Sequence, residues 1–233
     1  MKNFVIGIAS VGVKYHDKTI KLINDVNNVI DVNFIILTDN PDIFKFSDRI
    51  TTVKYENDRF SFHDKKILFK EGFKKYEHVI LMDADHGLRD VHFLNEITDL
   101  DLEPGIYPQV LWKHPADCSF ENFISGKSPR MTYGLEFKDF CLESSLLVDD
   151  VILFQESFLI IRKDERINRF MEVWDSLADF CNKKDIERNQ HVLGYGEGYS
   201  IGVAIRNSGL PIHENSQAVH MIVRNFKHFA WER

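Results

Sequence analysis

The sequence predicts an α/β domain on a largely parallel sheet. Apolar runs at residues 4–9, 33–38 and 79–82 have the length and the β-branched content of buried strands. Between them, apolar residues fall at helical intervals: Ile20, Ile23 and Val26 within residues 17–29, and Ile67, Leu68 and Phe73 within 63–76. Strands alternating with helices imply parallel pairing through right-handed crossovers.

Each element can be justified in order. Residues 4–9 read as the first strand and 17–29 as the first helix. Residues 33–38 form the second strand, closed by the turn sequence Thr38-Asp39-Asn40-Pro41. A third strand is expected over 51–55, then the helix over 63–76, then a strand ending at Asp83. This first half is a Rossmann-like nucleotide-binding unit without its glycine fingerprint, which argues against NAD or FAD. Further on, a strand is expected over 105–112 and one or two over 151–161. The stretch 115–147 lacks periodicity and reads as a long functional loop. Residues 164–181 read as a helix with Ile167, Phe170, Met171, Trp174, Leu177 and Ala178 along one stripe, and Asp164 can cap its start. The glycine-rich turn at 194–198 opens another helix reaching about Asn207, with Ser208-Gly209 as its stop. Residues 217–229 read as a strand leading into a short basic, aromatic tail. With no repeat and no linker, residues 1–233 are expected to form one domain.

Composition narrows the class. At 44% hydrophobic and 28% charged residues, the 233-residue chain has the balance of a soluble globular protein. No apolar run approaches the roughly 18 residues of a membrane helix. Residues 1–7 are too short for a leader and read as the start of a core strand. Three widely spaced cysteines, Cys118, Cys141 and Cys181, fit a reducing compartment, so the expected location is the cytosol. The formal charge of -7 disfavours a protein that grips nucleic acid through a basic surface. Lys65, Lys66, Lys70, Lys74 and Lys75 form a local cluster that is either such a patch or a solvated helix face.

The chemistry concentrates in His78-Val79-Ile80-Leu81-Met82-Asp83-Ala84-Asp85. Ligands of open α/β sheets collect at the carboxyl ends of strands, and two carboxylates stand where this strand stops. Asp83 and Asp85, separated by a small alanine, can share one hard divalent cation, Mg²⁺ or Mn²⁺, that keeps open positions for phosphate oxygens. The plainer alternative is a polar turn after a buried strand.

Taken together, the motifs resemble the GT-A glycosyltransferases, and within them the histo-blood-group and α-galactosyl transferases. Phe4-Val5-Ile6-Gly7 is similar to their nucleotide strand, and Phe34-Ile35-Ile36-Leu37-Thr38-Asp39-Asn40-Pro41 to their second strand and its turn. Arg59-Phe60 through Lys65-Lys66 falls where they carry an aromatic and a basic pair. Asp83-Ala84-Asp85 followed by Arg89-Asp90 is similar to their DxD, and Pro104-Gly105-Ile106-Tyr107 to their PGFY. Gly196-Glu197-Gly198-Tyr199-Ser200 lies where they place an acidic residue opening a helix. Their glycine-rich stretch before a long helix is replaced here by Phe154-Gln155-Glu156-Ser157-Phe158, and the membrane anchor of the animal enzymes has no counterpart, as expected of a soluble microbial or viral version.

The resemblance implies a GT-A fold with residues 1–90 as nucleotide-binding half and 91–233 as acceptor-binding half. It implies a metal-dependent transfer, retaining by analogy, from a UDP-sugar to an acceptor hydroxyl on a glycan, or on a modified DNA base as in phage enzymes. Ile8, Ala9, Ser10 and Tyr15 fall where the family holds base and ribose, and Asp39 is a further candidate there or an Asx turn. Asp83 and Asp85 would hold Mn²⁺ or Mg²⁺, with His220 as a third ligand and His213 and His228 as rivals. Lys65 is either a second cation near the phosphates or an exposed helix lysine. Glycosyl transfer also needs a carboxylate facing the anomeric carbon. Glu197 is the first choice, with Glu156 as rival or acceptor contact; Trp112 and His114 are candidates for the acceptor pocket. Two readings of other classes compete: a phosphohydrolase with Asp83 as nucleophile and Asp85 as acid, and a non-catalytic sugar-nucleotide-binding module.

Overall fold

The computed structural model describes residues 3–57, 59–88, 90–109, 119–128, 132–153, 157–189 and 196–228, with backbone alone for 86–88 and 226–228. The expected layout is observed: a Rossmann-like sheet with helices on both faces. Eight strands occur among the described residues: β1 (Phe4–Ser10), β2 (Asn33–Thr38), β3 (Ile50–Lys54), β4 (His78–Asp83), β5 (His86–Leu88), β6 (Gly105–Pro108), β7 (Phe158–Arg162) and β8 (Phe226–His228). The helices are α1 (Val13–Asn27), α2 (Lys66–Phe73), α3 (Phe93–Asp99), α4 (Phe120–Ile124), α5 (Gly134–Glu143), α6 (Ile167–Glu187), α7 (Glu197–Ser208) and α8 (Gln217–Asn225). Six strands form one sheet in the order β3-β2-β1-β4-β7-β6. The first four are parallel, as expected, whereas β7 runs antiparallel to both β4 and β6.

The pleat sends alternate side chains to opposite faces. Val5, Ile35, Leu37, Val79, Leu81, Leu159 and Ile161 meet α2, α5, α6 and α7 on one face. Ile6, Ile8, Phe34, Ile36, Ile80, Met82, Phe158 and Ile160 meet α1, α3 and α8 on the other. Helix α2 rests close on the sheet because Gly72 and Gly7 carry no Cβ: one at Gly72 would stand 2.6 Å from Val79 Cγ2, and one at Gly7 3.1 Å from Leu68 Cβ.

Three expectations need correction. Residues 115–147 are not one long loop, since α4 and α5 lie within them. Phe120 and Phe123, then Tyr133, Phe137 and Cys141, recur at helical spacing and pack with Phe180 and Tyr199 in the core. Residues 217–225 are helix rather than strand: Ala218, Val219 and Ile222 are the buried positions, and the Ser216 hydroxyl accepts the Val219 N–H at 3.2 Å. The following β8 pairs antiparallel with β5, so the C-terminal segment lies beside the chain that leaves Asp85. Finally, β6 and β7 are shorter than expected, with residues 110–118 and 154–156 outside the described ones. Among the described residues, no helix is long and apolar enough to cross a membrane.

Candidate active site

The carboxyl ends of β2, β1 and β4 form one edge, and the register fixes what stands there. Ser10 is level with Thr38, and Ala9 with Asp83. By the alternation of β4, Asp83 follows Val79 and Leu81 onto the face covered by α2 and α7. Both helices begin at this edge. Lys65 ends a 3-10 turn (Phe62–Lys65) that runs directly into α2, and Glu197 is the first residue of α7.

These three side chains meet. Lys65 Nζ lies 2.7 Å from Asp83 Oδ1 and 3.3 Å from Glu197 Oε2. The side chains of Lys65 and Glu197 are only 3% and 6% exposed, and that of Asp83 is 20% exposed. The ammonium also sits 5.0 Å from the centre of the Phe62 ring. Lys65 is therefore not an exposed helix lysine. A buried ammonium is tolerable because carboxylates surround it.

A polar frame holds the lysine in place. Ser61 caps the 3-10 turn by accepting the His63 N–H, and its hydroxyl donates to Asn182 Oδ1 of α6 at 2.5 Å. Asn182 donates in turn to Asp64, whose other oxygen accepts from the Tyr55 hydroxyl at 2.6 Å. Burial and that bond to a carboxylate push the Tyr55 hydroxyl up to about 12. His63 is wholly buried, and burial together with the charges of Lys66 and Lys65 pushes its ring down to about 3. It is a neutral imidazole behind the site. Next to it Lys66 pairs with Asp179 at 2.7 Å and Asp175 at 3.3 Å, Lys70 pairs with Asp175, and Lys74 with Glu71. The lysine cluster is thus largely paired with carboxylates, those of Lys66 and Lys70 on α6.

Asp85 lies two residues beyond Asp83, half-buried in the turn between β4 and β5. Two carboxylates on such a turn suit a hard divalent cation that retains positions for water or phosphate oxygens. The site's carboxylates also outnumber its ammonium. The Asp83 N–H donates to the Ser157 carbonyl at 3.0 Å, and the Ser157 hydroxyl donates to the buried Gln109 side chain at 3.0 Å. Sequence reasoning did not single out this Gln109–Ser157 pair; its signal was two polar residues flanking apolar strand runs.

Of the remaining candidates, Ala9 lies beside the cluster, level with Asp83, and the others occupy positions of their own. Ala9 shares the face of Asp83, but Ile8 and Ser10 point under α1, where Ser10 accepts from Thr19 at 2.9 Å. Half-buried Tyr15 has the Lys14 and Lys18 ammonium groups 4.6 and 5.9 Å from its ring centre. Asp39 Oδ1 accepts from the Gly12 N–H at 3.1 Å and meets His16 Nε2 at 2.9 Å. Burial pushes the Asp39 carboxyl up, but the Gly12 and His16 contacts outweigh it and hold the group below its ordinary value. His220 is on the exposed face of α8. His213 stacks on Tyr107 at the far end of the sheet, where Gly105 is level with Arg162 and that residue with His78. Among the described residues, no three His, Cys, Asp or Glu side chains are grouped closely enough to hold a metal ion, so His220 does not complete such a group with Asp83 and Asp85. Glu156, Trp112, His114, Cys118 and Arg89 lie outside the described residues, as does part of the turn before Glu197. Cys141 and Cys181 are buried and unbridged.

No protein-family model and no curated protein matches the sequence. Among solved structures, the chain is similar to the galactosyltransferase LgtC in complex with donor and acceptor sugar analogues. Identity is 12% over 89% of this chain and 72% of that one, with a TM-score of 0.48. An active-site mutant of LgtC gives 13% identity over the same shares and a TM-score of 0.47. The glycosyltransferase GlyE of Streptococcus pneumoniae gives 11% identity over 89% of this chain and 44% of that one, with a TM-score of 0.47. Likeness this distant carries no argument, and the functional reading rests on the side chains of the site.

Proposed function

We propose that this chain is a metal-dependent glycosyltransferase that moves a sugar from a UDP-sugar to an acceptor hydroxyl. One observation carries the reading: a buried ammonium, Lys65, joins the DxD carboxylate Asp83 to Glu197 at the carboxyl edge of a parallel sheet. That edge is where α/β sheets bind nucleotides.

Asp83 and Asp85 would hold Mn²⁺ or Mg²⁺, which as a Lewis acid would supply positive charge to the departing diphosphate. Lys65 adds a second cation beside that leaving group. Glu197, fixed at the start of α7, faces the reacting sugar and either takes the acceptor proton or stabilises the cationic transition state. Asp39, Tyr15 and Ala9 form the base and ribose side. Residues 1–90 serve the nucleotide and 91–233 the acceptor, and the retaining outcome follows from the resemblance. A glycan is the favoured acceptor over a modified DNA base, because Lys66, Lys70 and Lys74 are already paired with carboxylates. The phosphohydrolase reading is disfavoured, since an Asp83 held by Lys65 is better placed to carry a counter-charge than to attack phosphorus.

The test is incubation of the chain with Mn²⁺ and a panel of UDP-sugars, reading release of UDP and the configuration of the freed or transferred sugar. Release from one donor, lost in Glu197→Gln while donor binding at saturating Mn²⁺ persists, supports the reading. Binding with no release in any case points to a carrier rather than a catalyst.

A further inference from the structure

Lys65 serves two carboxylates, and the two contacts are unequal: 2.7 Å to Asp83 and 3.3 Å to Glu197. We propose that Lys65 competes with the divalent cation for Asp83 and falls back on Glu197 when the cation loads. Occupancy of the Asp83–Asp85 turn is thereby coupled to the charge held on Glu197. The inference rests on the metal reading above.

The physical case comes from burial. An ammonium only 3% exposed has almost no water to turn to, and Glu197 is a second carboxylate already within its reach. A divalent cation on either oxygen of Asp83 would stand within a carboxylate's width of that ammonium. In a partly desolvated site the repulsion is far stronger than in water. The lysine's four-carbon stem is flexible, whereas Glu197 is anchored at a helix start. The relief open to Lys65 is therefore to give up Asp83 and shorten its contact to Glu197. With the ammonium entirely on Glu197, the Lys65–Glu197 pair is closed when the cation is in place. Without the cation, Lys65 is shared between the two carboxylates.

The coupling has a signature that simple loosening of the site lacks. Lys65→Met removes the competitor and tightens Mn²⁺ binding. Glu197→Gln removes the fall-back, leaves the ammonium on Asp83 and weakens Mn²⁺ binding. Neither residue is assigned to the metal, yet the two changes have opposite signs.

The experiment is titration of the whole chain with Mn²⁺ alone, without nucleotide, following the free ion by electron paramagnetic resonance. Wild type, Lys65→Met, Glu197→Gln and Asp83→Asn are compared. The expected result is binding at least about tenfold tighter in Lys65→Met, about threefold or more weaker in Glu197→Gln, and abolished in Asp83→Asn. Should Lys65→Met fail to fold, the near-isosteric Glu197→Gln decides alone. Wild-type affinity in both variants, with Asp83→Asn still abolishing binding, overturns the coupling and leaves the metal site standing. Mn²⁺ binding that is absent from wild type overturns the inference, and binding indifferent to Asp83→Asn removes the metal reading with it.

Discussion

Lys65 and Glu197, 132 positions apart in sequence, meet in the interior at 3.3 Å, and the same ammonium reaches Asp83 at 2.7 Å. Each of the three is carried by a different element, α7, β4 or the turn before α2, so their meeting is a property of the fold.

Glu197→Gln keeps the size of the side chain and removes its charge. If Glu197 handles the acceptor proton or the cationic transition state, turnover should fall by about 100-fold or more. Donor affinity at saturating Mn²⁺ should be little changed. Steady-state kinetics beside calorimetric UDP binding checks both halves.

Gly72→Ala puts a methyl group 2.6 Å from Val79 Cγ2. The overpacking should cost about 1–3 kcal/mol, more than the roughly 1 kcal/mol of helix propensity that alanine offers. A lowered Tm is expected, with a weaker response to UDP because α2 carries Lys65 away from Asp83. Calorimetric melts with and without ligand measure it.

His63 has a folded value of about 3 against an ordinary 6.5, so the unfolded chain binds the extra proton between those limits. Stability from the neutral ring is complete above pH 6.5 and is lost as pH falls toward the folded value. Within that window the slope is about 1.4 kcal/mol per pH unit. His63→Phe should flatten the dependence, read by urea unfolding at pH 7 and pH 5. An equal loss in both proteins would remove the assignment.

Asp39 has the opposite sense. Its folded value is lowered below 3.8, so its contribution is present above that pH and disappears as pH falls through the lower folded value. The side chain is 42% exposed, so screening keeps the effect under about 1 kcal/mol. Asp39→Asn should be slightly less stable than wild type at pH 7 and equal to it in strong acid, by the same unfolding measurement.

The strands of the first half were legible because continuous apolar runs leave few alternatives, and α7 because Gly196 precedes it and Gly209, at φ 68, ends it. Residues 115–147 were not, since Pro, Gly and Ser masked two short helices whose aromatics are core. Helix α8 was misread because Val219, Met221 and Val223 alternate like a strand, while the burial that decides follows Ala218, Val219 and Ile222. The resemblance and a carboxylate's chemistry marked Asp83 and Glu197 separately. What joins them is invisible in one dimension, because an ion pair between distant elements leaves no local pattern. Lys65 was a candidate cation, but nothing local in its charged run told it from an exposed helix lysine.

The most direct measurement is a thermal shift of wild type and Asp83→Asn with UDP and UDP-sugars, with and without Mn²⁺. A metal-dependent nucleotide-sugar site at Asp83 should give stabilisation by UDP or one UDP-sugar only when Mn²⁺ is present, and none in Asp83→Asn. No shift with any nucleotide in the presence of metal, or an undiminished shift in Asp83→Asn, would contradict it.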